Sequence, residues 1–406
     1  MHVSRKGVML AALLVPVALI ALTPYAGPVA SAQTAPAPGV AAQLQPFVDG
    51  HTLAGAVTLV ASKDKVLSLE AVGYADVVAK TPMRADDLFW IASMSKPMTA
   101  TALMMLVDEG KVNIDDPVEK YLPEFRGQML IVEQDGEHVL LKKPVHPITV
   151  KNVLSHTSGL PFMSRVEHQI DTLPLREAVM SYALSPLKFQ PDSKYEYSNA
   201  GINTAGRIIE VVSGMPYEQF MQKRLFDPLG MKDTTFWLSE EQARRLAKSY
   251  KANAAKDGLE ETPVTQLSYP LTSHDHYPCP AGGLFSTAAD VATFGRMIVS
   301  GGTFEGKKYL SQASLRQMTS TQTGNLQNDG KSENGYGLGW STTRKFHESE
   351  PMSPCGHGGA YATNLWVDPA RGLVMVFMVQ SAGYPNQDGG KIYPTFMKAA
   401  EGFAKQ

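Results

Sequence analysis

The sequence predicts an α/β fold of the α+β type, with an antiparallel sheet built from both chain ends, flanked by helices, beside a mostly helical lobe. Three observations predict it. The apolar runs 54–61 and 66–74, turned by residues 62–65, read as a hairpin. A second hairpin pattern near the other end sets 364–367 against 373–379 across Asp368-Pro369-Ala370-Arg371-Gly372. Between them, helical spacing dominates from Ser93 to about Ser249, so the sheet must be assembled from the two termini.

In chain order, Arg5 and Lys6 precede the apolar run 8–22, and Ala30-Ser31-Ala32 follows as a small-residue cleavage site. Residues 1–32 are therefore expected to be a signal peptide, which places the mature protein in the periplasm or outside the cell. A retained anchor is the competing reading, but the run is short for a bilayer span; no stable membrane insertion is expected after cleavage. Residues 33–39, rich in alanine and proline, read as a linker. The folded body spans 40–406, with an α/β lobe at about 40–92 and 275–406 and a helical lobe at about 93–274. Val40, Leu44, Phe47 and Val48 mark a short first helix, and Tyr393, Phe396, Met397, Ala400 and Phe403 one side of a last one. Thr323 to Asn334 reads as a polar surface loop, and the insert 128–147 has no clear element.

The chain has 406 residues, 44% of them hydrophobic, and a net charge of −2. That is enough to bury a large core. With no lysine or arginine run, nucleic acid is not an expected partner. Cys279 and Cys355 are the two cysteines. In an oxidising compartment they are a candidate disulfide, with two separate buried thiols as the alternative.

Ser93-Met94-Ser95-Lys96 carries the chemistry. Met98, Ala102, Met105 and Leu106 keep an amphipathic helical spacing until Glu109-Gly110, so Ser93 and Lys96 share one face near a helix start. A serine hydroxyl needs a base, and a desolvated lysine can supply a neutral amine. Ser62 with Lys65 and Ser185 with Lys188 share the spacing but lie in a turn and beside Pro186. The plain alternative for Ser93 is a helix cap. Tyr197-Ser198-Asn199 precedes another helix, where Tyr197 could relay a proton and Asn199 hold a lysine, or cap the helix. Gly356-His357-Gly358-Gly359-Ala360 comes just before the terminal hairpin, where glycines let a substrate approach backbone.

Taken in order, these three elements resemble the serine β-lactamase and penicillin-binding-protein superfamily. The likeness is closest to its class C-like branch, which includes family VIII carboxylesterases and D-aminopeptidases. Residues 154–160, 197–201, 226–231, 281–287 and 335–340 match that branch too. The resemblance implies a β-lactamase/transpeptidase-like fold and a serine hydrolase needing no cofactor. It further implies Ser93 as acylated nucleophile, Lys96 as base, Tyr197 as relay, Asn199 as support, and the amides of Ser93 and Ala360 as oxyanion hole. Here His357-Gly358-Gly359 stands where class C β-lactamases carry Lys-Thr-Gly. The loss of a permanent cation weakens a lactamase reading, and by the resemblance to esterases and D-amino-acid peptidases His357 could instead stabilise or protonate a leaving group. The expected substrates are short-chain carboxylic esters, then amides or short D-peptides. A catalytically silent binding protein is the rival.

Three further features have plainer expectations. His156 is expected to hold a turn behind a helix capped by Thr149. Thr287 with Asp290 fits a capping box. His274-Asp275-His276 near Cys279 lacks a spaced ligand set, so no metal is assigned there.

Overall fold

Helix α1 (Val40–Asp49) buries Val40, Leu44 and Val48, a stripe at four-residue spacing that seats it on a sheet face. The computed structural model describes residues 39–268, 270–326, 334–343, 352 and 354–405. The expected signal peptide and all of the linker but Gly39 lie outside the described residues. Pro38–Gln406 form one compact unit.

Strand β1 (Gly55–Ser62) turns into β2 (Val66–Asp76), which pairs with the short β3 (Thr81–Pro82). The other half of the sheet comes from the carboxyl end: β4 (Asn334–Tyr336), β5 (Ser341–Thr343), β6 (Cys355–Gly358), β7 (Asn364–Asp368) and β8 (Leu373–Met378). Among the described residues these make one antiparallel sheet in the order β4-β5-β6-β7-β8-β1-β2-β3. The two termini meet where β1 pairs with β8, with Val57 opposite Met378 and Leu59 opposite Val376.

That central pair explains why its sequence shows apolar runs rather than alternation. Val57, Leu59 and Ala61, with Val374, Val376 and Met378, face the larger core. Ala56 and Val60, with Leu373, Met375 and Phe377, face a smaller core closed by α1 and the terminal helix Gly389–Glu401. Both faces are covered, so both parities must be apolar.

Over the larger core lie α2 (Ser95–Asp108), α3 (Val150–Ser155), α4 (Leu175–Ala183), α5 (Asn199–Ser213) and α6 (Ala288–Val299). Helix α2 departs from the amphipathic expectation: every residue from Ser95 to Leu106 is buried. A helix walled on all sides shows no polar face. Glu109 caps it, and Gly110 takes φ +70°, as the sequence break suggested. The helical middle is also interrupted, because the insert forms a hairpin, Leu130–Gln134 with Val139–Lys142. Of the polar stretch 323–334, residues 327–333 lie outside the described residues. No helix among the described residues is long and apolar enough to cross a membrane.

Candidate active site

Ser93 sits in a one-turn 3-10 helix, Ala92–Met94, that feeds α2. It is half-buried, and the residue before it, Ala92, is held at φ +46°. A left-handed alanine costs about 1–3 kcal/mol, and the bond from Ile91 N–H to the Leu284 carbonyl at 2.9 Å helps fix the turn. Three residues on, Lys96 points back along the same face. Its Nζ lies 3.0 Å from Ser93 Oγ.

Lys96 is completely buried. Its Nζ donates to Asn199 Oδ1 at 2.8 Å and to the Ala281 carbonyl at 2.7 Å. Burial removes the water that would stabilise an ammonium and brings its pKa down to about 7. At neutral pH a large share of Lys96 is therefore free amine.

The carbonyl of Ala281 is a partner that sequence reasoning missed. Residues 279–284 run wedged between α2 and α5: Thr99 Oγ1 donates to the Pro280 carbonyl at 2.7 Å, and Trp90 Nε1 to the Gly282 carbonyl at 2.7 Å. A Cβ on Gly206 of α5 would meet Pro280 at 2.3 Å, so the helix and this segment touch through a glycine. The only sequence signal was the matched stretch 281–287, and a backbone carbonyl has no letter of its own.

Tyr197 and Asn199 come from the entry to α5. Ser198, not Asn199, caps that helix, its Oγ accepting from Gly201 N–H at 3.1 Å. Asn199 is thereby free to face Lys96, and is 5% exposed. The Tyr197 hydroxyl lies close enough to Ser93 to feel it electrostatically, and its ring lies under Lys96 Nζ, 4.7 Å from the centroid. Burial pushes the Tyr197 hydroxyl well above its usual pKa, so it keeps its proton at neutral pH.

Strand β6 forms the opposite wall. A Cβ on Gly359 would stand 2.5 Å from the Ile91 carbonyl and 2.1 Å from Thr363 Oγ1. Only glycine lets the strand end approach the Ser93 turn, leaving Ala360 exposed beside it. His357 is buried, with Nδ1 2.7 Å from the Gly358 carbonyl and Nε2 3.0 Å from Tyr336 Oη. A carbonyl only accepts, so Nδ1 carries the proton and Nε2 accepts from the tyrosine. Burial, and then the nearby Lys96 charge, bring His357 down to about 3. This corrects the expectation of a protonating histidine: the ring is neutral and both nitrogens are engaged.

Two other expectations change. Cys279 and Cys355 are separate buried thiols rather than a disulfide, Cys279 Sγ lying 3.5 Å from Asn203 Oδ1. Thr287 caps α6 by accepting from Asp290 N–H, but the box is not reciprocal. The Asp290 carboxylate accepts instead from Asp233 N–H and Thr234 Oγ1. His156 ends α3 at φ 60° behind a Thr149–Asn152 capping box, as expected, and accepts from Ser198 N–H at Nδ1. His276 lies against Asp171 and the Leu271 carbonyl, while His274 stacks on Trp237.

The Beta-lactamase family model matches residues 40–393. Protein Rv1367c of Mycobacterium tuberculosis is 32% identical over 371 residues, 84% of this chain and 89% of that protein. Esterase EstB of Burkholderia gladioli is 31% identical over 265 residues, 59% of this chain and 64% of its own length. Among solved structures, EstCE1, described as a hydrolase with promiscuous acyltransferase activity, shares the fold with a TM-score of 0.73 at 24% identity. That match covers 89% of this chain and 97% of EstCE1. With a large antiparallel sheet, flanking helices and this breadth of match, the chain belongs to the Beta-lactamase family, within the serine β-lactamase and penicillin-binding-protein superfamily, and is a serine hydrolase.

Proposed function

We propose that this protein is an exported esterase that hydrolyses short-chain carboxylic esters through an acyl group carried on Ser93. One observation carries the reading: Lys96 is dry, and its three polar neighbours include two that can only accept. A neutral amine has two N–H groups and one lone pair. With the N–H groups on Asn199 Oδ1 and the Ala281 carbonyl, the lone pair falls on Ser93 Oγ. The base is aimed by exclusion.

Ser93 Oγ then attacks the ester carbonyl carbon while its proton passes to Lys96. The carbonyl oxygen gains negative charge, and the backbone N–H groups of Ser93 and Ala360 are its donors. Among the described residues neither has another acceptor. Each such donor is worth about 3 kcal/mol in the transition state. As the tetrahedral adduct collapses, the C–O bond to the alcohol breaks and the proton returns through Tyr197 to the leaving oxygen. Water, deprotonated by the same lysine, next attacks the acyl carbon and releases the acid and Ser93.

Esters are favoured over amides because an alkoxide leaves far more readily than an amine anion, which must be fully protonated before its bond breaks, and Tyr197 is the one relay this mechanism supplies. The neutral His357 ring gives no cation to hold a substrate carboxylate, which argues against efficient lactam turnover. Export rests on the charged, apolar and small-residue pattern of residues 1–32.

The test is intact-mass measurement after a fluorophosphonate probe, with peptide mapping and a p-nitrophenyl acetate assay. The expected result is one adduct on Ser93, and neither adduct nor turnover in Ser93→Ala. An adduct elsewhere, or wild-type turnover in that variant, overturns the assignment.

A further inference from the structure

Asn203 lies one helical turn beyond Asn199, on the same face of α5, and is 3% exposed. Its hydrogen bonds fix its orientation. Oδ1 accepts from the Ala281 N–H at 3.0 Å, so Nδ2 must face the other way, where it donates to Tyr182 Oη at 3.1 Å. Burial raises the Tyr182 hydroxyl far above its usual pKa, so it keeps its proton and donates it to Glu167 Oε1 at 2.5 Å. The other Glu167 oxygen accepts from Ser164 N–H at 2.7 Å. The directions therefore run consistently from the amide through the phenol to the carboxylate.

Ala281 is the point where this chain meets the chemistry. Its N–H is held by Asn203, and its carbonyl accepts from Lys96. The two asparagines of α5 thus grip the same lysine, Asn199 directly and Asn203 through one alanine. None of these groups beyond Ala281 touches Ser93.

We propose that Asn203, oriented by Tyr182 and Glu167, is a positioning residue that keeps the Ala281 carbonyl on Lys96 and so aims the lone pair of the amine at Ser93. The proposal rests on the reading of Lys96 as base. Without the amide, the Ala281 N–H is left unpaired and buried, and residues 279–281 must move to satisfy it. A displacement of the order of 1 Å in a catalytic group costs about 100-fold.

The expected signature is a fall in kcat without a matching change in KM. Asn203→Leu, which keeps the volume and removes the hydrogen bonds to Ala281, Tyr182 and Cys279, should lower kcat for p-nitrophenyl acetate by about 10- to 100-fold. Its KM should stay within about twofold, since Asn203 reaches Ser93 only through Ala281 and Lys96. Thr204→Val is the structural control: Thr204 is buried beside Asn203, its hydroxyl bonds the Ala200 carbonyl at 2.8 Å, and its loss should leave kcat unchanged.

A second variant keeps the proposal open to failure should the leucine variant not fold. Asn203→Asp has the same shape, still accepts from Ala281, and adds negative charge behind the lysine. The titratable groups facing Lys96 are Tyr197 before α5, Cys279 in the wedged segment, His156 at the end of α3 and His357 on β6. Added anionic charge favours the ammonium, so the acid limb of the kcat/KM profile should move up by about one pH unit.

Wild-type kcat in Asn203→Leu, an equal kcat loss in Thr204→Val, or an unmoved acid limb in Asn203→Asp would each overturn the proposal. Ser93→Ala separates the two levels. If that variant is inactive while Asn203→Leu turns over normally, only the positioning role fails; if it is active, the nucleophile itself is wrong.

Discussion

Lys96 and His357 line the same site, and burial lowers the pKa of both, yet only Lys96 is placed to act as the proposed base. Lys96 has two protein acceptors for its N–H groups and turns its remaining valence to Ser93. His357 has both nitrogens taken, one by the Gly358 carbonyl and one by Tyr336. Desolvation makes a neutral nitrogen; an unclaimed lone pair beside the reacting atom makes a reactive one. The difference is in the partners, since both groups are buried.

The strongest way to break this contrast is to remove the reactive pair. Ser93→Ala and Lys96→Ala should each lower kcat by roughly three orders of magnitude or more, and the double variant should cost little more, because the two act as a unit. Multiplicative losses in steady-state kinetics would show that they act separately.

The next largest effect is on pH. Lys96 must be unprotonated to work, so kcat/KM should climb as pH rises through about 7 and fall away below it. His357, at about 3, contributes no limb in that range. Lys96→Arg should remain inactive across the range, since arginine does not lose its proton. A limb that survives Lys96→Arg would transfer the titration to another group.

Tyr336→Phe sharpens the other half of the comparison. It leaves His357 Nε2 buried without a donor and should destabilise the fold by about 1–3 kcal/mol in urea melts. The loss of kcat should stay under about tenfold. A loss as large as that of Lys96→Ala would place the phenol in the chemistry. The smallest effect is expected far from both rings: Thr149→Ala removes the cap of α3 and should cost about 1 kcal/mol while leaving turnover intact.

Much of the fold was legible because it is written in short periods. Both hairpins of the sheet, the first and last helices, and the stop at Gly110 appear close to where the apolar spacing put them. The Ser93–Lys96 spacing gave the helical face on which the two meet. What failed did so for lack of a partner's position. Spacing within α2 suggested a polar face, but neighbours on every side left none. Asp290 fitted a local box, but a loop nearly sixty residues away claimed its carboxylate.

The sequence by itself determined the local geometry: a serine and a lysine one turn apart, glycines at a strand end, and a hairpin at each end of the chain. Tertiary structure decided what those groups became. It brought the Ala281 carbonyl to Lys96, set Asn203 behind it, closed both nitrogens of His357 and kept Cys279 unbridged from Cys355. The reason is physical. Periodicity and capping act over three or four residues, whereas these hydrogen-bond partners come from segments 21 to 185 residues apart that meet only when the core closes.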